Sequence, residues 1–137
     1  MLTVNDHQQI TETLSLHAFV VDENRLDRLG DVFTPEATYD MTRSGMGAFR
    51  GVEAMRAAAA QMFAAGRAPL SHFVTNIVIT ETGETTASVR SKGLMIMHDG
   101  ALHAVVYDDT FCLYEGRWMI ASRVILPIHA APADKLR

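Results

Sequence analysis

The sequence predicts an α+β fold class, with helices in the first half and an antiparallel sheet folded over them in the second. Two observations carry this. Apolar residues recur with a helical period up to about residue 66 and with period two after Pro69, the signatures of helix and strand. The breaks in the second half, "ETGET", "HDG" and "YEGR", are short and carry glycine, which suits hairpins. Helices followed by a meander place the helices on one side of a sheet.

Residues 5–22 read as the first helix. Ile10, Leu14, His17 and Val21 fall on one stripe, the face such a helix buries, and Asn5 or Asp6 can cap its start. "RLDRLGDVF" fits a second, short helix that Pro35 keeps from continuing. "ATYDM" alternates as a strand, and the glycine-containing "TRSGMGAFRG" reads as a mobile loop. "VEAMRAAAAQMFAAG" is an alanine-rich helix with Gly66 at its stop. Strands follow at about 70–80, 86–98, 101–114 and 117–128, and the polar tail, about 129–137, reads as loosely held. A long, bent sheet over a few helices makes a cone, and its mouth is a natural ligand pocket.

Composition narrows the function classes. At 137 residues, 48% apolar and 20% charged, the chain has the size and make-up of one globular domain over 1–137. Its net charge of −4 comes from 12 basic and 16 acidic residues without a basic block, so no nucleic-acid partner is expected. Cys112 has no second cysteine to pair with, which argues against a secreted disulfide scaffold. No apolar run reaches the ~20 residues of a bilayer span, and "MLTVNDHQQI" lacks the layout of a signal peptide. The expectation is a soluble, cytoplasmic protein with no membrane partner. The 6 histidines show no HExxH or other paired ligand spacing, so no metal is expected.

Polar residues that interrupt apolar patterns are informative, because burying one unpaired costs about 1–3 kcal/mol. His17 takes an apolar position on the first helix, and Asp22 ends the apolar run in "FVVDEN". In "HFVTN", alternation puts His72, Val74 and Asn76 on one face and Phe73, Thr75 and Ile77 on the other. In "ALHAVVYDDTF", His103, Val105, Tyr107, Asp109 and Phe111 share a face. Each also has a structural reading. A strand histidine can be a hydrogen-bonded core or rim residue, Asp22 a cap, Asn76 a partner for a backbone group, and Tyr107 a product of strand propensity. The 8 methionines either fill the cone or line an adaptable apolar pocket.

Together these residues resemble the SnoaL-like branch of the nuclear-transport-factor-2-like superfamily over nearly the whole chain. "VVDENRLDRLGDVFTPEATYD" looks like that branch's first-helix ending, short second helix and first strand, and "FRGVEAMRAA" like its glycine-led third helix. "SHFVTNIVI" is similar to its His-x-x-x-Asn strand, "VVYDDTF" to its Tyr-x-Asp strand and "GRWMIASRVI" to its closing strand. The resemblance implies a cone-shaped α+β barrel, a strongly curved, mostly antiparallel sheet enclosing a pocket, assembled as a homodimer or homotrimer.

Within that branch the pattern is most similar to members resembling scytalone dehydratase, bile-acid dehydratase and hexachlorocyclohexane dehydrochlorinase. The likeness implies His72 as a base and Asp22 as its orienting carboxylate. Where several such dehydratases carry a tyrosine five residues before the aspartate, this chain has His17. His17 or Tyr107 then donates a proton or holds an oxyanion, and Asn76, Tyr107 and Tyr39 are the implied substrate contacts. The implied activity is a cofactor-independent lyase or isomerase, dehydratase-like, acting on a small, mostly apolar or cyclic molecule. The chemistry is sound without the family: a neutral imidazole accepts a carbon-bound proton near neutral pH, and a carboxylate on its far nitrogen fixes the tautomer. Two alternatives stand beside it. One is a polyketide-cyclase-like aldol catalyst working through Asp22 or Asp109. The other is a non-catalytic ligand-binding or accessory protein, as in ring-hydroxylating-oxygenase β-subunits.

Overall fold

The change of hydrophobic period at Pro69 is where the architecture changes. The computed structural model describes residues 1–129; the expected tail beyond His129 lies outside the described residues. Helix α1 (Val4–Asp22) leads through a 3-10 turn (Leu26–Asp31) into β1 (Phe33–Asp40). A second 3-10 turn (Thr42–Ser44), β2 (Ala48–Arg50) and α2 (Val52–Ala64) follow. The meander then runs through β3 (Ser71–Gly83), β4 (Thr86–Ile96), β5 (Leu102–Tyr114) and β6 (Arg117–Ile128).

The cap of α1 is Thr3 and not Asn5 or Asp6. The Thr3 hydroxyl accepts from the Asp6 N–H at 3.1 Å, while the Asp6 carboxylate accepts from the Thr3 N–H at 2.7 Å, a closed capping box. The other Asp6 oxygen accepts from the Trp118 indole at 2.9 Å, and Thr13 donates to the Trp118 carbonyl at 2.8 Å. These bonds register α1 against β6. Ile10, Leu14 and His17 are buried as their spacing predicts, but Val20 rather than Val21 completes the core stripe.

The expected loop 42–51 contains an element, because β2 pairs antiparallel with β1. β1 begins at Phe33, ahead of "ATYDM", and holds Pro35. Its pairing with β6 skips from Phe33 to Thr38, so the proline sits where no ladder bond is lost.

The strands form a 6-stranded sheet in the order β2-β1-β6-β5-β4-β3. β1 runs parallel to β6, and the other neighbours are antiparallel. The sheet is not closed: β2 and β3 are its edges, so the cone is a curved open sheet backed by helices rather than a full barrel. Register shifts between Thr75 and Val78 and between Thr110 and Phe111 supply bends, since each bulge adds local twist. The β5–β6 hairpin turns at Glu115 (φ 49°) and Gly116 (φ 80°), two left-handed residues as a tight turn requires.

Burial is unequal along the strands. Near the β5–β6 turn, Phe111, Trp118 and Ile120 seal against Ile10, Leu14 and Phe33. Toward the opposite strand ends Val105, Tyr107 and Ile125 form a smaller cluster that borders a hollow. Among the described residues, no helix is long and apolar enough to cross a membrane.

Candidate active site

The hollow is a cavity of about 700 Å³ between the inner sheet face and α2, within the usual range of small-molecule pockets. Of the 8 methionines, Met41, Met46, Met55, Met62, Met95 and Met97 line it. The methionines therefore wall a pocket rather than fill it, with flexible, polarisable thioethers suited to apolar ring surfaces. The polar aromatic side chains His17, Tyr39, His72 and Tyr107 share this lining with the more exposed His103 and His129. The His17 ring centroid lies 6.3 Å from that of His72 and 6.4 Å from that of Tyr39.

Edge position explains the first contact. β3 has a neighbour on one side only, so some of its N–H groups need partners from outside the sheet. α1 packs on β3 and delivers Asp22 from its last residue. Asp22 Oδ2 accepts from the His72 backbone N–H at 2.8 Å, and Asp22 Oδ1 lies 2.5 Å from His72 Nδ1. A carboxylate only accepts, so Nδ1 carries the hydrogen in this bond and Nε2 is left with the free lone pair. His72 lines the cavity and Asp22 stands behind it, their side chains 11% and 16% exposed. Glu23, and not Asp22, is the C-cap of α1.

His17 is held from the other side. Arg123 Nη1 lies 3.3 Å from His17 Nδ1. A guanidinium only donates, so Nδ1 accepts and the ring hydrogen sits on Nε2. Burial, reinforced by the charge of Arg123 and by His72, holds the His17 imidazole well below the ordinary histidine range. His17 is thus a neutral hydrogen-bond donor at neutral pH and not an imidazolium acid.

Arg123 is in turn clasped by Asp109, Nε to Oδ1 at 2.8 Å and Nη2 to Oδ2 at 2.9 Å, and both residues are 1% exposed. Its guanidinium carbon sits 4.0 Å from the Tyr107 ring centroid, a cation–π contact. Burial alone would lower the guanidinium, but the Asp109 carboxylate outweighs it and Arg123 stays charged. Burial pushes the Asp109 carboxyl up against the opposing pull of Arg123. Asp109 therefore does not face the cavity, which removes it as the acid–base group of an aldol site. Sequence reasoning does not single out Arg123; the available signal is a cation inside the apolar run "WMIASRVI".

Tyr39 and Tyr107 keep their phenol hydrogens, because burial raises Tyr39 well above the ordinary tyrosine value and raises Tyr107 as well. The Tyr107 ring lies over Gly93, where an added Cβ would come within 2.7 Å of its Oη. Asn76 departs from expectation. It has φ 54° and, with Ile77, falls between the paired residues Thr75 and Val78, so the strand gains a residue and the alternation inverts. Asn76 is exposed and outside the cavity lining, while Ile77 and Ile79 take the inner face after Val74. Asparagine suits that left-handed position. Among the described residues, no group of 3 or more His, Cys, Asp or Glu is placed to hold a metal ion.

A family model described as a SnoaL-like domain matches residues 2–124. No curated protein matches the chain in sequence. Among solved structures, a candidate aromatic ring hydroxylase from Novosphingobium aromaticivorans superposes with TM-score 0.76 at 22% identity, covering 100% of both chains. A candidate scytalone dehydratase from the same organism gives 0.76 at 19% identity, over 92% of this chain and 86% of that one. An NTF2-like protein with a cystatin-like fold, also from that organism, gives 0.79 at 18% identity, over 97% and 88%. At such identities the likeness is one of fold.

Proposed function

The chain belongs to the SnoaL-like domain family, and on that footing we propose a cofactor-independent lyase or isomerase of the dehydratase kind. The observation that carries the reading is the Asp22–His72 bond of 2.5 Å behind a ring that lines a methionine-walled cavity. His72 Nε2 removes a proton from carbon next to a carbonyl. Asp22 keeps Nδ1 protonated and stabilises the imidazolium that forms. The enolate oxygen takes hydrogen bonds from neutral donors, His17 Nε2–H with a tyrosine hydroxyl of Tyr39 or Tyr107, which need no reorganisation as charge develops. The His72 imidazolium then gives the proton to a departing β-hydroxyl, which leaves as water, or returns it to another carbon, so that elimination or isomerisation is completed by proton transfers alone and the base is regenerated. A neighbour in fold bears the name of a scytalone dehydratase, which agrees with this class.

The test is base-dependent exchange and elimination. In deuterium oxide the protein should exchange the α-hydrogens of 2-tetralone and dehydrate β-hydroxy ring ketones. His72→Ala should lose roughly 10²–10⁴ of that rate, and Asp22→Asn should fall with it because the tautomer is no longer held. Full turnover by either variant refutes the dyad. The aldol alternative is disfavoured for Asp109 by its burial against Arg123, and for Asp22 by its place outside the cavity lining, with both oxygens bonded to His72. The non-catalytic alternative is disfavoured by the open cavity beside a bonded dyad.

A further inference from the structure

The charge of the cavity lining runs against that of the molecule. The chain has 16 acidic and 12 basic residues, yet among the described residues no Asp or Glu lines the cavity, while Arg67, His103 and His129 do. All three are exposed, unlike the buried His17 and the largely buried His72, so they stand at its open side. Arg67 follows α2 and precedes β3.

Strand register places two of them relative to the base. His72 pairs with Met95 across β3–β4, and Met95 pairs with His103 across β4–β5. Directly opposed residues share a face, so His72, Met95 and His103 form one inner row. Ala104 pairs with Ile128, which sets His103 beside His129 one step further out. Neighbouring strands lie about 4.8 Å apart, so His103 stands about 10 Å from His72 along the sheet. Two imidazoles, each with at least one N–H to donate in either protonation state, thus stand together at one end of an apolar chamber, and a permanent cation, Arg67, is exposed on the same lining.

We propose that the substrate is an amphipathic carboxylate: an apolar, ring-bearing body among the methionines with its reactive carbon at His72, and a carboxylate about 10 Å away held by Arg67, His103 and His129. This deepens the functional reading and rests on the cavity being the substrate site, but not on the chemistry of the dyad. An acidic rim would repel such a ligand. A purely apolar rim would not distinguish it from a neutral analogue.

Calorimetric titration of the full chain with a series of 2-naphthylalkanoic acids and their primary amides tests it. Each acid should bind about tenfold tighter than its amide, the return on one charge-assisted hydrogen bond near solvent, with the margin greatest when the spacer sets the carboxylate about 10 Å from the ring. Arg67→Met should erase the margin while leaving amide affinity unchanged, and the His103→Gln, His129→Gln double variant should shrink it. His72→Ala should keep it. Equal binding of acid and amide, no binding of either, or a margin that survives in both rim variants overturns the proposal. Because no turnover is measured, failure here leaves the dyad reading standing, and failure of the dyad variants leaves the acid–amide margin intact.

Discussion

Asp109→Asn isolates the buried charge beneath the cavity. In the native protein Arg123 is held by two bonds of 2.8 and 2.9 Å from Asp109, with Tyr107 on its face and His17 at its remaining nitrogen. The amide keeps the shape but turns one acceptor into a donor facing a donor, leaving a guanidinium in the core without its counter-charge. Breaking a buried pair from one side costs about 3–5 kcal/mol. For 137 residues, an unfolding entropy of about 2.1 cal/mol/K per residue makes each kcal/mol worth roughly 3.5 °C. Differential scanning calorimetry at neutral pH and fixed concentration should therefore show Tm lower by roughly 10–17 °C. The control removes both charges: Asp109→Leu with Arg123→Met should lie within about 2 kcal/mol of the wild type, because exchanging a buried pair for apolar side chains is often near neutral. A single-variant loss under about 1 kcal/mol, the scale of an exposed pair, would refute the reasoning. So would a double variant as unstable as the two single variants added together.

The depressed pKa of His17 has a sign. As pH falls, the unfolded chain takes the proton before the folded one, so the stability this residue contributes is complete above the ordinary histidine value of 6.5. Below that it declines by up to about 1.4 kcal/mol per pH unit until the folded ring protonates. Urea denaturation between about pH 7 and 5 should show a slope in the wild type that His17→Gln reduces, and equal slopes would contradict the buried neutral ring. Gly93→Ala drives a methyl into the Tyr107 ring. The ring must leave the Arg123 face, at an overpacking cost of about 1–3 kcal/mol visible in the same denaturation assay, and an unchanged midpoint would mean that the ring does not lie there.

Much of the scaffold is written locally. The period-two runs mark β3 to β6 to within a few residues, and Gly116 marks the last hairpin, because alternation and turn chemistry act between near neighbours. The residues of the site were partly legible for the same reason: His17, Asp22 and His72 each break an apolar pattern, and such breaks demand partners. Their partners were not legible. Nothing within α1 says that Asp22 will meet a free edge N–H and a ring nitrogen on β3 rather than cap its own helix. Nothing in "HFVTN" says which nitrogen of His72 will hold the hydrogen.

Two bulges carried the rest. Counting back from the β5–β6 turn sets Asp109 against Ser122 and Arg123 against Asp108 on the outer face. The register shift between Thr110 and Phe111 instead brings Asp109 to Arg123 inside. The shift between Thr75 and Val78 likewise turns Asn76 outward and Ile77 inward. One added residue inverts the side-chain parity of all that follows. The sequence by itself determined the helices, the strands and which residues were out of place among them. Only the tertiary structure decided which of those residues meet, because a bulge is set by how a whole sheet bends around its core and not by the residues beside it.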